Sequence, residues 1–216
     1  ILDFGENGFK GVKIETIGLV LNGKKTKDNQ IKFYSYTNKK YILQNQNYII
    51  DSKFPYWLLY RDKFFDDVCK KMEFGVFNFF RDRQITKKHT LNKGKIRVLK
   101  SRNISNNNIV SLDGYDTYLN EIDNFAVSKY LNKKNVYLVP NLTYYPRACK
   151  LPENSIVDGS AALLFPKKDK KINNKQLEFF ASKEFTAFYR IARNFGTRSL
   201  NIDKNSVFFW GLKKAN

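Results

Sequence analysis

From Val12 to Leu21 the chain first alternates and then turns continuously apolar, through Val12, Ile14, Ile17, Leu19, Val20 and Leu21. That pattern predicts a strand buried on both faces. Asn22-Gly23 is a hairpin-turn dipeptide, and Gln30 to Tyr36 alternates again, so a return strand is expected there. A connecting stretch with Pro55 and Trp57 covers about 44–61, after which Asp62 is placed to cap a helix presenting Phe64, Phe65, Val68, Cys69 and Met72. Short apolar runs predict strands near Val76–Phe80, Ile96–Leu99, Val136–Val139 and Ala161–Phe165, with asparagine- and proline-rich loops between them. Tyr115–Leu131 suggests a helix, and the clearest helical period runs from Asn174 to Asn194. Its apolar stripe is Leu177, Ala181, Phe185, Phe188 and Ile191, and its opposite stripe is Lys183, Thr186, Arg190, Arg193 and Thr197.

Charge changes this picture more than composition does. Lysine and arginine number 39 against 20 acids, a net charge of +19, and the arginines are concentrated from Arg81 onward. A polyanion partner is the natural expectation. No apolar run is long enough to cross a membrane, so no membrane partner is expected and the protein is read as cytoplasmic. Cys69, Cys149 and the single His89 have no neighbours at metal-ligand spacing and read as free thiols and a lone imidazole. The chain opens on Ile1 and its one methionine is Met72, so it reads as a piece of a longer protein.

Several motif-like strings lack the context their chemistry needs. Asp3-Phe4-Gly5 has no kinase catalytic loop before it. The stretch from Gly18 to Lys25 resembles a phosphate loop, but it has lysine where a magnesium-binding hydroxyl is required. Gly5, Gly8 and Gly11 do not make the dinucleotide fingerprint, and Asp51-Ser52-Lys53 has no further acid suited to a nuclease site. No Asn-Pro-Pro-Tyr or Asp-Pro-Pro-Tyr is present. No catalytic residue, bound cofactor or metal is expected within this chain.

Three polar clusters instead suggest DNA reading. The first follows an aromatic strand and contains Arg81, Arg83, Gln84, Thr86, Lys87 and Lys88. Arginine and glutamine suit guanine and adenine edges, whereas lysine suits phosphates. The second is Arg97, Lys100, Arg102 and Asn103; the third is Arg190, Arg193, Asn194, Thr197 and Arg198, near the helix-ending Gly196. A weaker candidate is Tyr144-Tyr145-Pro146-Arg147, an aromatic pair beside a cation, for which core packing of the tyrosines is the expectation.

The opening from Ile1 to Ile17 resembles the end of the catalytic domain of type II N6-adenine-specific DNA methyltransferases from restriction-modification systems, where a phenylalanine-containing loop is followed by a Glu-Thr strand. Gly94–Ile104 and Thr186–Leu212 are similar to elements of their target-recognition domains and of type I specificity subunits. The resemblance implies an α+β recognition domain over 46–216, preceded at 1–45 by the last strands of an α/β methyltransferase sheet. It implies double-stranded DNA as partner, a catalytic domain upstream in the same chain, and a cognate restriction endonuclease. S-adenosylmethionine is implied as methyl donor for the full-length parent, with none in this fragment, which is expected to be inactive alone. The alternatives are the specificity part of a fused restriction-methylation enzyme, a basic RNA-binding or protein-interaction module, and a stand-alone nuclease.

Overall fold

The computed structural model describes residues 1–23, 29–168, 170–196 and 200–214, a mixed α+β arrangement. Elements run in the order β1 (Leu2–Gly5), β2 (Thr16–Gly18), β3 (Gln30–Ser35), β4 (Lys40–Asn45), α1 (Gln46–Ile49), α2 (Lys63–Lys70), β5 (Met72–Glu73), β6 (Phe77–Phe80) and β7 (Ile96–Leu99). There follow β8 (Ile104–Ser105), β9 (Asn108–Ile109), β10 (Thr117–Leu119), β11 (Tyr137–Pro140), β12 (Cys149–Lys150), β13 (Ser155–Val157), β14 (Ala161–Pro166), α3 (Asn174–Phe180), α4 (Lys183–Ala192) and β15 (Leu212–Lys213).

One sheet, ordered β12-β11-β14-β6, separates two hydrophobic cores. Successive side chains of a strand point to opposite faces, and these strands are apolar on both. Tyr137, Val139, Ala162, Leu164 and Phe77 enter the first core, while Leu138, Cys149, Ala161 and Leu163 enter the second. The unbroken apolar runs in the sequence follow from this central position.

The first core is aromatic. Phe65 of α2 stacks on Phe188 of α4 at 4.8 Å between centroids, and Phe185 packs against Phe180 and Trp210 at 5.0 and 5.1 Å. Phe33 of β3 and Ile49 of α1 belong to the same core, which joins the opening sheet β2-β1-β3-β4 to the helices. The second core gathers Val98, Leu99, Leu119, Ile156 and Val157 from a sheet ordered β10-β7-β13, together with Ile122, Val127 and Tyr130.

Three sequence expectations are corrected. The run Val12–Leu21 is not a doubly buried strand: only Thr16–Gly18 is β, pairing antiparallel with β1. Val20 and Leu21 are 83% and 85% exposed. The expected return strand forms as β3, but its partners are β4 and, in parallel, β1. Tyr115–Leu131 is not a helix. Thr117–Leu119 pair antiparallel with β7, and β-favouring Thr117 and Tyr118 gain ladder bonds that a helix would forfeit. The long C-terminal helix is two helices. Ser182 caps the second by accepting from Phe185 N at 3.0 Å, so the chain restarts where continuity was expected. Asp62 does cap α2, accepting from Phe65 N at 2.9 Å. No helix of the described residues is long and apolar enough to cross a membrane.

Candidate nucleic-acid interface

After β6 the chain leaves the central sheet through a turn organised by Asp82, which is 1% exposed. Its Oδ2 accepts from Gln84 N at 2.9 Å and Ile85 N at 2.7 Å, and Ile85 is anchored in the second core. Arg83 and Gln84, between these fixed points, and Arg81, just before them, stay exposed. Gln84 Oε1 accepts from Ala126 N at 2.6 Å. Arg81 Nε donates to the Gly159 carbonyl at 2.9 Å. Gly159 is required there, because an added Cβ would stand 2.9 Å from the Asp82 carbonyl oxygen. Thr86 then starts a single 3-10 turn, Lys87–His89, its N–H donating to His89 Nδ1 at 3.1 Å; Lys87 and Lys88 project from it, exposed.

The second cluster divides into braces and free groups. Asn103 is fully buried: Oδ1 accepts from Lys100 N at 2.9 Å and Nδ2 donates to Asp116 Oδ1 at 2.6 Å. Arg97 Nη2 donates to Asp116 Oδ2 at 2.6 Å and to the Val110 carbonyl at 2.9 Å. Asn103 and Arg97 therefore hold the segment after β9 against β7, and both are corrected from DNA readers to braces. Lys100 Nζ donates to the Tyr115 carbonyl at 2.8 Å and lies 4.7 Å from the Tyr115 ring centroid. The exposed Arg102 guanidinium lies 4.8 Å from the same centroid. The ring between two cations orients both. Thr86, Lys87, Lys100, Tyr115, Tyr118 and Asp158 line one groove of about 1160 Å³, which Asp113 and Asp116 also border. The structure thus joins residues from the first and second sequence clusters.

The third cluster is more internal than expected. Arg193 Nη1 pairs with Asp203 at 3.1 Å and Nη2 donates to Asn201 Oδ1 at 2.5 Å. Asn194, at φ 50°, caps the end of α4: Oδ1 accepts from Leu59 N at 2.8 Å and Nδ2 donates to the Trp57 carbonyl at 2.9 Å. Both therefore act as braces: Arg193 ties the end of α4 to the segment at 201–203, and Asn194 ties it to the connecting stretch before α2. Arg190 is half-buried beside Tyr144. Thr197 and Arg198 lie outside the described residues.

Tyr144 and Tyr145 are 60% and 67% exposed, so the expected core packing is overturned. They stand on the loop Asn141–Arg147 between β11 and β12. Arg147 clamps its far end, donating from Nε to the Ile104 carbonyl at 2.6 Å, from Nη2 to the Ser101 carbonyl at 3.1 Å, and from Nη1 to Thr143 Oγ1 and the Tyr145 carbonyl at 2.9 and 3.0 Å. Asn141, fixed at the near end by backbone pairing with Ser160 at 2.9 Å, offers its amide oxygen to Arg81 Nε and Nη2 at 3.1 Å when turned to satisfy both groups. The loop is therefore tied to the Arg81 turn on one side and to the Ser101–Ile104 turn on the other. The only sequence signal was a Tyr-Tyr pair outside any strand or helix period.

A second cavity of about 640 Å³ lies where the opening sheet meets the end of α4, with Asp3, Asn38, Trp57, Tyr60 and Phe195 in its lining. Tyr60 Oη donates to Asp3 and lies 2.6 Å from Ser35 Oγ, and burial, with Asp3 beside it, pushes the phenol up to about 12. The glycines at 5, 8 and 11 lead into β2 rather than into a helix, and Asp3 is engaged by Tyr60 and Gly5 N. Both cysteines are free, and burial pushes each thiol up to about 12. The sequence matches no protein-family model and no curated protein.

Proposed function

We propose that the protein binds duplex DNA through the face built by the turns at 81–90 and 100–103 and the loop at 141–147, as the target-recognition region of an N6-adenine DNA methyltransferase. One observation carries this reading: the cationic side chains sort into two sets. Arg97, Arg147 and Arg193 are spent on internal carbonyls and carboxylates. Arg83, Lys87, Lys88 and Arg102 remain exposed on the turns at 81–90 and 100–103, and Arg81 is exposed as well although its Nε meets the Gly159 carbonyl. A rigid support carrying free guanidinium and ammonium groups suits base edges and phosphates together. The exposed run Val12–Leu21 fits the same reading, as surface that a catalytic domain would cover. Methyl transfer and S-adenosylmethionine would belong to that domain, and no chemical step is assigned to these residues.

Salt titration of binding to a labelled mixed-sequence duplex of about 30 base pairs tests the assignment. Each phosphate contact contributes about 0.9 to the slope of log K against log salt. Lys87→Ala and Arg102→Ala are each expected to flatten the slope by about that amount, whereas Lys63→Ala, on the distant α2, is expected to leave it unchanged. Tighter binding of single-stranded RNA than of the duplex, or slopes indifferent to both variants, contradicts the proposal.

A further inference from the structure

The loop Asn141–Arg147 presents a feature that charge alone does not require. Leu142, Tyr144 and Tyr145 are 58%, 60% and 67% exposed, close together on one short loop. Exposing such side chains forgoes their burial energy, and contiguous apolar patches on a surface commonly mark an interaction site. Flexibility does not account for it. Arg147, half-buried, fixes the loop through four donated hydrogen bonds, and Thr143 is held twice more: its carbonyl accepts from Leu200 N at 2.7 Å, and its Oγ1 accepts from Tyr145 N at 3.1 Å. The rings are displayed on a braced support.

Cations meet the loop at both of its ends. Arg81 touches the loop through Asn141, Arg147 leads by way of Ser101 to Arg102, and Arg190 lines the same small cavity as Tyr144. An apolar partner face would gain nothing from that arrangement, whereas a polyanion whose interior offers flat apolar surfaces satisfies both parts. Resting on the DNA-binding reading above, we propose that Tyr144 and Tyr145 form a wedge that enters duplex DNA at one base step and stacks on the bases it separates, while Arg81 and Arg102 hold the flanking phosphates. Inserted side chains unstack and kink a duplex, at a cost of a few kcal/mol per step. Aromatic stacking on a base recovers a comparable amount.

A duplex that already contains an opened step spares that cost. The test is a fluorescence-anisotropy comparison of two duplexes of about 30 base pairs and the same sequence, one intact and one with a single central mismatch. The wild-type protein is expected to bind the mismatched duplex about fivefold or more tightly than the intact one. The double variant Tyr144→Ala/Tyr145→Ala is expected to bind both alike, with its salt slope kept. Tyr144→Phe/Tyr145→Phe, which retains the rings, is expected to retain the preference. Both tyrosines are exposed, so circular dichroism should show wild-type folding for both variants. Equal wild-type binding to the two duplexes, or a preference that survives the alanine pair, overturns the wedge and leaves the DNA-binding reading standing. Failure to bind either duplex overturns both.

Discussion

Replacing Phe185 with alanine is expected to cost about 3–5 kcal/mol of folding stability, the range for deleting a buried aromatic side chain. Phe185 is fully buried, and its ring lies 5.0–5.7 Å from the rings of Phe179, Phe180, Tyr189 and Trp210, with Phe188 at 6.0 Å. Those neighbours come from α3, α4 and the 3-10 turn Ser206–Phe209 with its adjoining Trp210, so they cannot close the void without moving whole elements. For a chain of this size the melting temperature should fall by roughly 2–4 °C per kcal/mol. Phe185→Leu should recover about half the loss. Denaturant unfolding checks this: a midpoint shift corresponding to less than about 1 kcal/mol for the alanine variant would show that the aromatic core is not tightly packed.

Asp116→Ala is expected to destabilise by about 3 kcal/mol and to remove DNA binding beyond what unfolding explains. The carboxylate accepts from Arg97, Asn103 and, at 3.3 Å, Leu112 N. Removing it leaves Arg97 without its carboxylate partner and both Arg97 and Asn103 Nδ2 with the Val110 carbonyl as their remaining acceptor. The low end of the range for breaking a buried pair applies, because the Arg97 and Asp116 side chains keep 21% and 13% exposure. The functional effect follows from geometry. Asn103 sets the 100–103 turn, and Tyr115, next to Asp116, orients Lys100 and Arg102. Asp116→Asn keeps an acceptor and should lose less on both counts. Paired stability and anisotropy measurements decide it: a folded Asp116→Ala protein with wild-type affinity would mean that the turn needs no brace.

The parts of the fold legible in the sequence are those decided locally. The apolar runs that became β6, β7, β11 and β14 are short and bounded by turn residues, and Asp62 announces α2 by its own capping bond. Where a distant partner decides, the pattern misleads. Tyr115–Leu131 yields to pairing with β7, whose residues lie about twenty positions earlier in the chain. Val12–Leu21 has the hydrophobicity of a buried strand, but only Thr16–Gly18 pairs, at the sheet edge on β1, while β3 takes the inner place between β1 and β4 and Leu19, Val20 and Leu21 stay outside the sheet. In the candidate site the sequence marks polar segments without separating the side chains that are engaged internally from those that stay exposed. Arg97 and Arg193 look the same as Arg102 until Asp116 and Asp203 fold against them. Tyr144 and Tyr145 have the composition of core residues, and only the clamp from Arg147 explains how they stay outside.

Selection of duplexes from a randomised library, over several rounds at about physiological salt, tests the central claim most directly, because non-specific phosphate contacts are weakened there. The account predicts enrichment of a short motif containing an adenine, and relaxation of one position of that motif in an Arg83→Ala variant. Salt-sensitive binding with no sequence enriched would contradict target recognition.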